Sequence, residues 1–197
     1  GIGGEYFSSI NFQDLYQKLY TKKCSVKQVF NFILNSIVCR DGSNSKFRGE
    51  KTPGHTVLSK FIRNIYPNAK FINIVRNPVA VIGAKMDRTE STVSDLCKHF
   101  QFHVNSMVND DNSITVRYED LITNTENTMK GIYRFLGAKD NILDLQSLEF
   151  GTYKKYVGSS VDASRNDRNI SSVSDCDTAY IKKNLHDIFE QYYPDLI

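Results

Sequence analysis

Two basic residues stand where a parallel sheet would receive an anion. Arg76 ends the apolar run Phe71, Ile72, Ile74 and Val75 and is followed by Asn77-Pro78. Lys51 ends a short segment around Phe47 and is followed by Thr52-Pro53-Gly54. In an open parallel sheet, ligands sit beyond the carboxyl ends of the strands, and both cations fall there. A guanidinium offers a planar fork of N–H donors suited to phosphate or carboxylate. The helix start after Arg76 adds free backbone N–H groups and the positive end of its dipole. Proline at the first helical position costs nothing, because that N–H has no helical partner. The competing reading is an Arg76–carboxylate pair at the rim of the sheet.

Other reactive side chains carry less. His99 and His103 lie four apart and share a helical side, but no third ligand or Glu-containing motif accompanies them, so packed or solvated histidines are expected and no metal site. Cys24, Cys39, Cys97 and Cys176 are scattered without CxxC pairing, which suits free thiols in a reducing, cytoplasmic setting. The single sequon Asn169-Ile170-Ser171 does not establish secretion.

The elements that position these residues follow from hydrophobic period and turn chemistry. Two helices are expected within residues 7–38, the second capped by Ser25. A helix from about Thr56 to Tyr66 precedes the central strand, which reads as buried because it is a continuous β-branched run. Val79, Val81, Ile82 and Met86 follow at helical spacing. A helix over Ser91–Val108 buries Val93, Leu96, Cys97, Phe100 and Val104. Ile114–Tyr118 alternates as a strand, and a helix from about Thr125 to Leu136 stops at Gly137. Residues 151–174 are polar and without period and read as a long loop. A last helix from about Thr178 to Tyr192 buries Ile181, Leu185, Ile188 and Phe189 before Pro194. Alternating strands and helices argue an α/β fold with a parallel sheet, in one domain over 1–197. Only three strands are visible.

With 197 residues and 40% hydrophobic content the chain can build one sizeable core. A net charge of +3 suits a polyanionic small ligand, and no cluster of cations exists to track a nucleic-acid backbone. No apolar run approaches the ~20 residues of a membrane span, so no membrane segment is expected.

Three blocks in order, GEKTPGH at 49–55, AKFINIVRNPVAVIGAKM at 69–86 and VRYEDLITNTENTMKGIYRFLG at 116–137, resemble the sulfotransferases that use 3′-phosphoadenosine-5′-phosphosulfate (PAPS). The likeness is closest to the Gly-Glu-Lys-Thr/Ser-Pro branch, which includes carbohydrate sulfotransferases. The resemblance implies a three-layer α/β fold, a parallel sheet flanked by helices and related to P-loop nucleotide kinases. It implies transfer of a sulfuryl group from PAPS, without a metal, to an acceptor hydroxyl, with a carbohydrate or small molecule as partner. Arg76 would then bind the 3′-phosphate, Tyr118 would lie near the adenine or ribose, and Ser164 and Arg165 are further candidates for the 3′-phosphate. Lys51 would face the transferred group and leaving phosphate. The base that takes the acceptor proton is sought in His55 or Glu50.

Two departures accompany the resemblance. The family's usual serine, eight positions after the arginine, is Ala84 here. Gly83, with its accessible backbone, and Lys85 are the residues that would compensate. The family's N-terminal strand and Gly/Ser/Thr-rich loop for the 5′-phosphosulfate have no counterpart in GIGG at 1–4 or DGSNS at 41–45. The expectation is the C-terminal part of a longer domain whose sheet is short of a central strand. The alternative function is a non-catalytic relative that binds a nucleotide or a partner.

Overall fold

The computed structural model describes residues 24–32, 49–138 and 164–197, together with Gln13 and Gln17. The chain divides into two compact units, residues 1–51 with 149–158, and residues 52–148 with 159–197. In the first unit, residues 26–32 are helical. Ser25 Oγ accepts from the Gln28 N–H at 3.3 Å, and Gln28 Oε1 accepts from the Ser25 N–H at 2.8 Å. This reciprocal capping box satisfies two N–H groups that a helix start leaves without partners. The expected strand around Phe47 lies outside the described residues; residues 49–51, which are described, have no regular secondary structure.

The second unit contains α1 (His55–Ile65), β1 (Phe71–Val75), α2 (Pro78–Met86), α3 (Val93–Ser106), β2 (Ser113–Arg117), α4 (Tyr118–Thr123), α5 (Thr125–Leu136), α6 (Ser164–Ser171), α7 (Asp175–Asn184) and α8 (His186–Tyr192), then a 3-10 turn at Pro194–Leu196. β1 and β2 pair in parallel, with Phe71 opposite Ser113 and Val75 opposite Arg117. The described sheet is therefore two-stranded and the architecture α/β.

Local chemistry explains the element ends. Asn77 caps α2 by accepting the Val79 N–H, with Pro78 at the first position. Thr92 caps α3 and Ser174 caps α7, each accepting from an N–H three residues on. Gly137 ends α5 in the left-handed region at φ 71°, where a side chain would be strained. α2 is apolar on most sides and largely buried, as a helix of that composition must be. Val75, Val79 and Ile82 meet Leu96, Cys97 and Val104 of α3 and Ile181, Leu185, Ile188, Phe189 and Tyr193 from the C-terminal segment. Each fully buried aliphatic of this cluster contributes about 1.5–3 kcal/mol.

Several expectations are corrected. β1 is half-buried: Ile72 is 39% and Ile74 53% exposed, whereas Val75 is 2%. Its inward residues alternate because α2, α3, α7 and α8 cover the face that carries Val75. The second strand ends at Arg117, and Tyr118 opens the short helix α4, whose first turn holds Glu119 and Asp120 at the favourable end of the dipole. The C-terminal helix starts at Asp175 and breaks at Leu185. The segment read as a loop through 174 contains α6. Its buried stripe carries Asn166, with Val173 just beyond the helix, so a polar residue interrupts the apolar period that would announce a helix.

Among the described residues, no helix is long and apolar enough to cross a membrane.

Candidate functional site

The parallel register brings Arg76 and Tyr118 to one edge. Val75 and Arg117 are partners across the ladder, so the next residue of each strand leaves the sheet at the same end. The Arg76 guanidinium lies 4.9 Å from the centroid of the Tyr118 ring. Its Nε donates to Asn166 Oδ1 at 2.8 Å. Its Nη2 is buried and has no hydrogen-bond partner. Among the described residues Arg76 forms no ion pair with a carboxylate. A buried guanidinium donor without an acceptor is costly. The donor set, a cation with a free N–H beside an aromatic face and a helix start, fits a phosphate next to a nucleoside ring.

The corner is held from behind by residues the sequence did not single out. Glu119 Oε1 accepts the Asn77 N–H at 3.0 Å, and Glu119 Oε2 accepts the Tyr193 hydroxyl at 2.8 Å. The same hydroxyl lies 3.1 Å from the Val75 carbonyl. The backbone on both sides of Arg76 is thus tied to one pair, the buried Tyr193 and the half-buried Glu119. Burial and the adjacent Glu119 carboxylate push the Tyr193 phenol far above its ordinary pKa, so it remains a donor. Arg117 lies over the Tyr193 ring at 4.6 Å and grips Asp195 at 3.0 and 3.4 Å. Tyr193→Phe is expected to cost about 1–3 kcal/mol of stability, because it strands buried acceptors. Urea titration checks this through a lower midpoint at unchanged m-value.

α6 reaches Arg76 because α2 lets it approach. A Cβ on Gly83 would lie 2.3 Å from the Asn169 carbonyl oxygen and 2.7 Å from Val173 Cγ2. Gly83 therefore serves helix packing and is closed off, contrary to the expectation of an accessible backbone there. Lys85 Nζ lies 3.2 Å from His99 Nδ1 on α3. Partial burial, then the charges of Lys85 and His103, lower the His99 pKa. The His99 and His103 rings lie 4.5 Å apart, and among the described residues no group of three or more His, Cys, Asp or Glu could hold a metal.

The remaining candidates are placed as follows. Ser164 opens α6 and is exposed, two residues before Asn166. Arg165 lies in the same first turn. His55 is the first residue of α1, half-buried, with its N–H on the Thr52 carbonyl at 2.9 Å. It is not among the partners of Arg76. Lys51 is exposed and closes the first stretch of the other unit. The structure thus joins Arg76 and Tyr118 and adds Asn166, Glu119 and Tyr193. Glu119 lay within the Tyr-Glu-Asp-Leu block; Asn166 and Tyr193 had no local signal.

Comparison with known proteins bears on this site. A family model described as "Sulfotransferase family" matches residues 12–141. The omega-hydroxy-beta-dihydromenaquinone-9 sulfotransferases Stf3 of Mycobacterium bovis and Mycobacterium tuberculosis are each 28% identical over 111 residues, covering 46% of this chain and 28% of the relative. The match thus spans under a third of the length of those curated relatives. The solved sulfotransferase domain from the curacin biosynthetic pathway superposes with a TM-score of 0.56 at 17% identity, covering 88% of this chain and 72% of that one. At that identity the likeness concerns the fold: α/β, of the sulfotransferase type.

Proposed function

Because the chain belongs to the sulfotransferase family, we propose that it moves a sulfuryl group from PAPS to an acceptor hydroxyl. The observation that carries this reading is Arg76: a guanidinium at the carboxyl end of a parallel strand, over the ring of Tyr118, with a buried unpaired N–H and no carboxylate partner among the described residues. PAPS would supply an activated sulfuryl group whose bond to the 5′-phosphate breaks as the acceptor oxygen bonds to sulfur. Arg76 binds the distant 3′-phosphate and Tyr118 stacks by the nucleoside, which fixes the donor in line for transfer. Ser164 and Arg165 stay as candidates for the same phosphate. On the resemblance of its Gly-Glu-Lys-Thr-Pro block alone, Lys51 neutralises charge on the leaving phosphate. His55 takes the acceptor proton, with Glu50 as the other option.

The acceptor is proposed as a hydroxyl on a carbohydrate or another small molecule; the mycobacterial relatives are named for a hydroxylated menaquinone. Ala84, which cannot donate a hydrogen bond to the phosphate, favours a second reading, a relative that binds nucleotide without transferring the group.

The test incubates the chain with sulfur-labelled PAPS and a panel of hydroxylated lipids and oligosaccharides, following label in the acceptor. Lys51→Ala is expected to lower turnover about 10²–10³-fold while bisphosphate affinity stays near wild type. Tight binding of adenosine 3′,5′-bisphosphate with no transfer to any acceptor would favour the second reading.

A further inference from the structure

Arg76 stands in the link between two elements: β1 ends at Val75 and α2 begins at Pro78. Peptide groups are planar, so only φ and ψ of Arg76 decide the direction in which its side chain leaves the backbone. Holding the peptide before it and the peptide after it therefore aims the guanidinium. Both are held, and by the same two side chains. The Asn77 N–H donates to Glu119 Oε1 at 3.0 Å, and the Val75 carbonyl lies 3.1 Å from the Tyr193 hydroxyl. That hydroxyl lies 2.8 Å from Glu119 Oε2. A hydroxyl has one proton, so Glu119 and the Val75 carbonyl share it.

The anchor behind this arrangement is rigid. Tyr193 is fully buried in the core cluster, edge-on to Phe189 at 6.2 Å, with the Arg117 guanidinium 4.6 Å from its ring centroid. Glu119 comes from the first turn of α4. Among the described residues it makes no ion pair with Arg76, so its hold on that side chain runs through the backbone. Its negative charge opposes an anion bound near Arg76. The charge is thus a burden to phosphate binding, and the use of the residue lies in where its two oxygens stand.

We propose that Glu119 is a positioning residue: backed by Tyr193, it fixes the peptides that aim Arg76, and its geometry rather than its charge does so. The consequence for binding rests on the reading of Arg76 given above. Glutamine can take over the geometry. Its amide oxygen accepts the Asn77 N–H, its NH2 group donates to the Tyr193 oxygen, and the Tyr193 proton then goes wholly to the Val75 carbonyl. Alanine keeps none of these bonds. The two substitutions therefore separate positioning from charge.

The experiment titrates the full chain and its variants with adenosine 3′,5′-bisphosphate and with AMP. Glu119→Ala is expected to lower the preference for the bisphosphate about tenfold, the equivalent of one charge-assisted bond, with AMP little changed. Glu119→Gln is expected to restore the preference to the wild-type level or above it. An undiminished preference in Glu119→Ala, equal weakening of both ligands, or a loss in Glu119→Gln as deep as in Glu119→Ala overturns the proposal. Should Glu119→Ala fail to fold, Tyr193→Phe takes its place, because it leaves the Val75 carbonyl without that donor. A reduced preference is expected there, and an unchanged one overturns the proposal. If wild type does not prefer the bisphosphate to AMP, the functional reading falls by itself. The Arg76 Nε–H resonance, assigned by its loss in Arg76→Lys, then decides about Glu119. A signal that is sharp in wild type and Glu119→Gln but broadened in Glu119→Ala, with the Ile82 and Ile181 methyl resonances in place, sustains the positioning role. A signal unchanged in Glu119→Ala removes it.

Discussion

Arg76→Ala removes the preference for adenosine 3′,5′-bisphosphate over AMP and leaves the chain folded. The first half follows from the charge-assisted bonds a guanidinium makes to a phosphate. Each is worth about 1.5–3 kcal/mol, so losing two weakens the bisphosphate at least a hundredfold. AMP lacks the 3′-phosphate, so its affinity should hardly change. The second half follows from what Arg76 does in the fold. It forms no ion pair among the described residues, and its Nη2 is buried without an acceptor. Deleting it gives up one bond to Asn166 and the contact with Tyr118 while it relieves a desolvated donor, and these largely offset. A melting temperature within a few degrees of wild type, with binding lost by calorimetry, is the expected pair of results. Arg76→Lys should fall between, since lysine keeps the charge and loses the fork. If Arg76→Ala binds the bisphosphate as wild type does, the site is elsewhere.

Gly83→Ala and Gly131→Ala have opposite signs, although both place alanine in a helix. In a helix interior the change from glycine to alanine alone gains about 0.8–1.0 kcal/mol. Around Gly131 in α5 a Cβ would meet nothing within 4 Å, so the propensity gain stands and the melting temperature rises slightly. Around Gly83 the same Cβ would lie 2.3 Å from a backbone oxygen of α6. A carbonyl cannot rotate out of the way, so α6 must move. Overpacking of this kind costs about 1–3 kcal/mol, more than propensity returns at its upper end, and lowers the melting temperature by several degrees. Displacing α6 also takes Asn166 away from Arg76, so bisphosphate binding should weaken in step. Paired thermal melts and titrations of the two variants check both effects. Destabilisation by Gly131→Ala, or none by Gly83→Ala, would contradict this packing.

The local features of the site were legible because their determinants lie within a few residues. Asn77-Pro78 specifies the helix start after Arg76, and the αL position of Gly137 specifies the end of α5. Ser25 and Gln28 close a capping box at an expected place. The α3 face of Leu96, Cys97 and Val104 and the C-terminal set Ile181, Leu185, Ile188 and Phe189 were readable from period alone. The break at Leu185 was not, since the apolar stripe runs through it unchanged.

What the sequence determined by itself is the cationic corner: a strand, an arginine and a capped helix start, together with the family resemblance of its blocks. What only the tertiary structure decided is how that corner is completed. Asn166 is 90 residues from Arg76, the Tyr193 hydroxyl is 74 residues from Glu119 and 118 from Val75, and Gly83 is shaped by α6, which its own residues do not announce. Such contacts leave no period or cap in the chain. They arise when burial of the apolar neighbours carries polar groups inward and obliges them to find each other.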